Sequence, residues 1–395
     1  MNANKSITLT SSDSNGVAGG AKNTVTRTNN AAGAMIEAKT GTLKLQNIVI
    51  NGNNLQLTDS FLLAIADGEI AEGTTIKNSD SGALVVDGGT VAMTGGTIKN
   101  NSVHGGVRVQ TNSTFTLSNG TIRENTTTAS GGGIWGGTGS TININGGLIY
   151  NNGGGSGGGI YSGGTVNITG GSISNNDSAG NGGGITGYYG STINISGGTI
   201  ENNSVPDTDK AGGGIFIVGS STDPSTLTVS GTAVITGNSA HNGGGIGMTA
   251  YTTVNINDGT ITGNTAQMNG GGIQSSASTN NTLNIRGGTI SDNSVENCGG
   301  GITFSGNAFN MSGGTITGNT ADINSGGILL SSSATMTMSG GTISNNSSKI
   351  AGGINVYGGS SFNMTAGTIS GNNATSSHGG GIALSSTGEI GRAHV

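Results

Sequence analysis

Gly157-Gly158-Gly159-Ile160-Tyr161, then Thr165-Val166-Asn167-Ile168-Thr169, then Gly170-Gly171-Ser172-Ile173-Ser174-Asn175-Asn176, is one period of a pattern that fills most of this 395-residue chain. Val166 and Ile168 stand two residues apart between polar neighbours, the alternation of a strand with one buried face. The same pair returns as Phe115/Leu117, Ile142/Ile144, Ile193/Ile195, Leu227/Val229, Val254/Ile256, Leu283/Ile285, Phe309/Met311, Met336/Met338 and Phe362/Met364. A period of two excludes helix. Glycines divide each period into three apolar stretches, as the corners of a narrow coil require where the backbone turns and a Cβ has no room. Three strands and three corners per period predict a parallel β-helix.

The Gly-Gly-Gly-Ile signature ends at Val107, Ile134, Ile160, Ile185, Ile215, Ile246, Ile273, Ile302, Ile328, Ile354 and Ile382, with looser copies at Ile36 and Leu84. A second signature, Gly-Gly-Thr-Ile-x-x-Asn, falls between them at the same spacing of about 27 residues. Self-similarity at that length is the mark of one structural unit stacked on itself. The expectation is an all-β, single-stranded, right-handed solenoid of about 14 rungs, the hand following from the general preference of parallel crossovers.

Composition removes competing readings. Glycine supplies 81 residues and proline 2, which would suit a flexible linker, but the aliphatic residues keep phase across the repeats, as a linker would not. Collagen needs glycine at every third position, and calcium-binding nonapeptide rolls need an aspartate after their glycines; neither pattern occurs. The net charge of −6 is spread thinly and forms no basic stripe, so nucleic acid is not an expected partner. No apolar run reaches the length of a membrane span. Cys298, the single cysteine, has no internal disulfide partner and reads as a small turn residue.

One rung buries only four or five aliphatic side chains, each stabilising by about 1.5 to 3 kcal/mol, while ordering its backbone costs on the order of 1 to 2 kcal/mol per residue. A rung is therefore stable only in a stack. The third residue after a Thr-Ile corner is nearly always asparagine, at Asn101, Asn125, Asn152, Asn176, Asn203, Asn238, Asn264, Asn293, Asn319, Asn346 and Asn372. Side-chain amides stacked at one rung position can donate and accept along the axis, so this series is expected to form a structural ladder.

The ends differ. Residues 1–90 read as less regular rungs, with Ile7-Thr8-Leu9, Leu43-Lys44-Leu45 and Ile48-Val49-Ile50 as strands and no signal-peptide pattern before them. Residues 91–388 carry the regular repeats. Glu389-Ile390-Gly391-Arg392-Ala393-His394-Val395 breaks the pattern and resembles a translated sequencing adapter, so the natural protein is expected to continue beyond residue 388.

Over roughly residues 76 to 384, the Gly-Gly-x-Ile and Ile-x-x-Asn tetrapeptides resemble the alternating Gly-Gly-x-Ile and aromatic-x-x-Asn repeats of chlamydial polymorphic outer membrane proteins and related autotransporter passenger repeats. Those repeats carry Phe where this chain has Ile98, Ile200 and Ile316. The resemblance implies a right-handed β-helix exported to a bacterial cell surface and commonly adhesive, meeting environmental or host surfaces.

Chemistry belongs on the outer faces. β-Helix enzymes acting on polysaccharides need clustered carboxylates or a basic residue beside them. Here the acids are scattered, except near Ile215, where two insertions are expected to bring Asp207, Asp209 and Lys210 near Asp223. His104, His241 and His378 lie several rungs apart and cannot share a metal. No catalytic residue, metal ligand or cofactor site is assigned.

The residue after each signature isoleucine is expected to point outward, which would align Trp135, Tyr161 and Phe216, with Tyr188 and Tyr189 slightly beyond Ile185. An aromatic row beside acidic loops suits sugar rings, which offer an apolar face and a polar rim. The second strand's outer pairs, such as Thr141/Asn143, Thr165/Asn167 and Thr253/Asn255, form a polar array that would also suit ice, although β-propensity explains threonine there equally well. Three function classes remain: a surface stalk or adhesin that binds glycans, a polysaccharide lyase or hydrolase, and an ice-binding solenoid.

Overall fold

The computed structural model describes residues 7–10, 24–26, 34–53, 61–276, 280–376, 379–385 and 389–390. It falls into two compact units, Met1–Ser178 and Ala179–Val395. Both are parallel, right-handed β-solenoids, with about 13 turns in all and no helix among the described residues. His378 and residues 391–395 of the aberrant tail lie outside the described residues, while Glu389 and Ile390 pair with Ser361 and Phe362 as a short strand.

Register follows the repeat. In the first unit Ile36, Leu63, Leu84, Val107, Ile134 and Ile160 pair in one column. Leu63 marks a rung without the glycine signature, paired on both sides and fully buried. In the second unit the column runs from Ile185 through Ile215, Ile246, Ile273, Ile302, Ile328 and Ile354 to Ile382. The third strands stack likewise, Ile50, Ile76, Ile98, Ile122, Ile149 and Ile173 in the first unit and Ile200, Ile235, Ile261, Ile290, Ile316, Ile343 and Ile369 in the second. Like packs on like, and nearly all of these side chains are buried.

The glycines of the first signature answer two constraints. Gly131 has φ +77°, and a Cβ there would lie 2.7 Å from the Ile134 carbonyl oxygen; an L side chain is excluded by both conformation and space. A Cβ on Gly133 would lie 2.5 Å from the carbonyl oxygen of Gly159 on the neighbouring turn and 3.2 Å from Asn152 Nδ2. The third glycine thus makes room for the asparagine column.

Several turns also have a short fourth strand between the ladder asparagine and the next glycine corner. In the second unit these form a six-stranded parallel sheet, Ser239–Asn242, Thr265–Asn269, Ser294–Val295, Thr320–Ala321, Ser347–Ser348 and Asn373–Ala374. Ala266, Val295 and Ala321 form a small separate apolar cluster on it. Two-residue strands of Ser, Thr and Ala carry too little alternation to be read from sequence.

Candidate functional site

The asparagine series lies inside the coil. In the first unit Nδ2 of Asn101 donates to Oδ1 of Asn125, Asn125 to Asn152 and Asn152 to Asn176, at 2.8 to 3.0 Å. In the second, Asn203, Asn238, Asn264, Asn293, Asn319, Asn346 and Asn372 are joined the same way. Every amide has further partners. Asn264 Nδ2 donates also to the Ile235 carbonyl at 3.0 Å, while its Oδ1 accepts from both the backbone N–H and Nδ2 of Asn238. Bonded along the axis and, except for half-buried Asn372, buried, these amides are spent on the stack and have nothing to offer a ligand. The residue before each takes the left-handed conformation, as at Asn151, Asn202, Gly263, Asp292 and Asn345, which turns the ladder side chain inward. A run of Asn, Gly or Asp at that position is a sequence signal that the spacing argument overlooked.

The first strand's outer face departs from expectation. In the second unit the residue after the signature isoleucine is covered at every turn: Thr186, Phe216, Gly247, Gln274, Thr303, Leu329, Asn355 and Ala383 are all buried. The segment running from the ladder to the glycine corner folds back over this face. Thr186 Oγ1 donates to the Asn181 carbonyl at 2.7 Å, Thr303 Oγ1 to the Cys298 carbonyl at 2.8 Å, and Asn355 Nδ2 to Asn324 Oδ1 at 2.7 Å. Phe216, 7 % exposed, is therefore under a roof and does not join an open aromatic row.

In the first unit the equivalent column contains Arg108, Trp135 and Tyr161, paired strand to strand. All three are half-buried. The Arg108 guanidinium carbon lies 3.9 Å from the Trp135 ring centroid, a cation–π contact, and burial pulls the Arg108 pKa below its ordinary value. The ring's face toward Arg108 is occupied, so a sugar cannot stack there.

Tyr188 and Tyr189 are different. They stand at the corner beyond the roof, 39 % and 43 % exposed, with ring centroids 4.0 Å apart. A hydrogen bond to Tyr189, then burial, raises the Tyr188 pKa above its ordinary value. The insertion at 219–224 abuts them. Gly190 N–H donates to the Asp223 carbonyl at 2.9 Å, and Asp223 Oδ2 accepts from Thr222 Oγ1 at 2.7 Å.

The other acidic insertion stands elsewhere. Asp209 Oδ1 lies 4.0 Å from His241 Nε2, and the Lys210 carbonyl accepts from Asn242 N–H at 3.1 Å. Exposed Asp207 shares that loop. Asp207 and Asp209 precede the strand Ile215–Val218 and Asp223 follows it. The roof side thus holds one loop, through Asn242, and the Tyr188 corner holds the other, through Gly190. Among the described residues no three His, Cys, Asp or Glu side chains are grouped to hold a metal ion, and no helix is long and apolar enough to cross a membrane.

Two parallel β-solenoid units, each ladder-bonded within, define a β-helix repeat protein. Residues 283–392 match the family described as the right handed beta helix region. Neither a curated protein nor a solved structure matches the chain.

Proposed function

We propose that this chain is a non-enzymatic repeat scaffold exported to a bacterial cell surface, a stalk or adhesin that presents a glycan-binding surface. The observation that carries this reading is the commitment of polar groups to stacking. The side chains that repeat most faithfully, the ladder asparagines, bond to one another along the axis, which favours a stiff support. The passenger-like repeats support export. A polysaccharide-cleaving enzyme is less well supported, because the acidic insertions stand at opposite ends of one strand.

Antibodies raised against residues 179–276 should label intact cells of the source organism, and external protease should remove the label. Labelling only after permeabilisation would defeat the surface assignment. Purified protein should release no new reducing ends and no unsaturated uronates from plant, algal or bacterial polysaccharides. Sustained release abolished by Asp209→Asn or Asp223→Asn would establish the enzyme instead.

A further inference from the structure

We infer that Tyr188, Tyr189 and the 219–224 insertion form a carbohydrate site of the second unit, one that takes neutral hexose chains. The proposal rests on the surface-scaffold reading and narrows it to one corner and one ligand class. It differs from an aromatic row along the coil, because Phe216 is roofed and Trp135 is covered by Arg108.

Three observations converge. The two tyrosines expose much of their rings while packing against each other, which leaves the outer faces as a rigid platform that loses little side-chain entropy on binding. The insertion is already closed on itself. Asp223 N–H donates to Ser220 Oγ at 3.0 Å, Ser220 N–H donates to the Asp223 carbonyl at 3.0 Å, and Gly219 N–H donates to the Ala250 carbonyl at 2.9 Å. Its exposed Ser221, Thr222 and Asp223, with half-buried Ser220 behind them, set hydroxyl and carboxylate groups at the edge of an aromatic platform, the mixture that a sugar's apolar face and hydroxyl rim require. Charge then selects. Asp223 places a negative group at the rim with no cation bonded to it among the described residues, so uronate or sialylated chains are repelled while neutral chains are accepted.

Tyr357 is the internal control. It occupies the same place in its turn, three residues past the signature isoleucine, and is 48 % exposed. It is followed by Gly358-Gly359 and, among the described residues, has no second ring or acidic insertion beside it.

Affinity electrophoresis of the purified chain through gels carrying a neutral β-glucan, a neutral galactomannan or polygalacturonate tests the proposal. Retardation is expected in a neutral gel and not in polygalacturonate. The Tyr188→Ala/Tyr189→Ala double variant should weaken it by about tenfold or more, with the β-rich circular dichroism unchanged, whereas Tyr357→Ala should have no effect. Tyr188→Phe/Tyr189→Phe keeps the rings and should keep most of the retardation. No retardation in either neutral gel, retardation that survives the double alanine variant, or preference for polygalacturonate would overturn the site. Because the assay uses purified protein, those failures are distinguishable from failed surface labelling, which would remove the scaffold reading and leave this measurement standing.

Discussion

Two asparagine columns run along the second unit, and they behave differently. The inner one, through Asn238, Asn264 and Asn293, is buried, and each amide bonds to the next turn as well as to backbone groups. The outer one, Asn255, Asn284 and Asn310 on the second strand, also links amide to amide at 2.9 to 3.0 Å. Its members lie at the surface, where water can replace any lost partner. Burial, rather than residue type or spacing, decides which column holds the coil together. The aromatic residues repeat the lesson. Phe216 and Tyr188 lie on neighbouring turns of one unit, yet the roof takes the first and the corner frees the second.

The largest effect should follow Asn264→Ala. It removes the acceptor of the Asn238 N–H and of one Asn238 Nδ2 hydrogen, the other still bonding the Ile200 carbonyl, and a donor to the Ile235 carbonyl, all in a dry interior. Unsatisfied buried groups cost about 1 to 3 kcal/mol each, so a loss on the order of 4 kcal/mol is expected by urea unfolding. Asn255→Ala should stay within about 0.5 kcal/mol. Equal losses would break the distinction between the columns.

Next in size is Phe216→Ala. A side chain enclosed between strand and roof should cost about 3 kcal/mol when truncated, against less than about 1 kcal/mol for Tyr188→Ala. If the two variants unfold at the same denaturant concentration, the face is not roofed in solution.

The coil itself was legible because its constraints are one-dimensional. Ile160, Val166, Ile168 and Ile173 follow a strand's alternation, and Gly157 to Gly159 mark a corner that only glycine fills. Asn176 could be placed in a ladder by its period alone. What could not be read was cover. Phe216 and Trp135 share a position with Tyr161, and nothing in that spacing reveals that a short Ser/Thr/Ala strand returns over the face, or that Arg108 lies on the indole. The two acidic insertions are close in sequence but leave opposite ends of one strand. Separation across a rung depends on which corner each loop extends, and composition does not encode that.

A smaller effect belongs to the first unit's outer face, where Glu69 bonds Lys44 Nζ at 2.9 Å and Thr94 Oγ1 at 2.8 Å. The Lys44 bond, then the Thr94 bond, hold its pKa below the ordinary 4.5. A lowered folded value means that the contribution is present above the ordinary range and is lost as pH falls through the folded value. Wild type should exceed Glu69→Gln in stability at pH 7 by less than about 1 kcal/mol. The difference should shrink as pH falls below the ordinary 4.5 and shrink in about 1 M salt. A larger gap that resists salt would show that outer-face polar contacts also hold the coil.

The smallest effect is a rate. Cys298 lies where the roof returns to the glycine corner: it is half-buried, its Sγ–H donates to Asn297 Oδ1 at 3.1 Å, and burial raises its pKa above the ordinary 9.0. The thiolate is the reactive form, so at pH 8 alkylation by iodoacetamide should run several-fold slower than for a free cysteine peptide. The rate should still be climbing above pH 9, where the peptide levels off. Phe216→Ala lies three turns away and should leave this rate unchanged, because each turn touches only its neighbours. An accelerated Cys298 in that variant would mean that the roof opens as one cooperative sheet, and the contrast between covered and open positions would then belong to the whole fourth strand rather than to single turns.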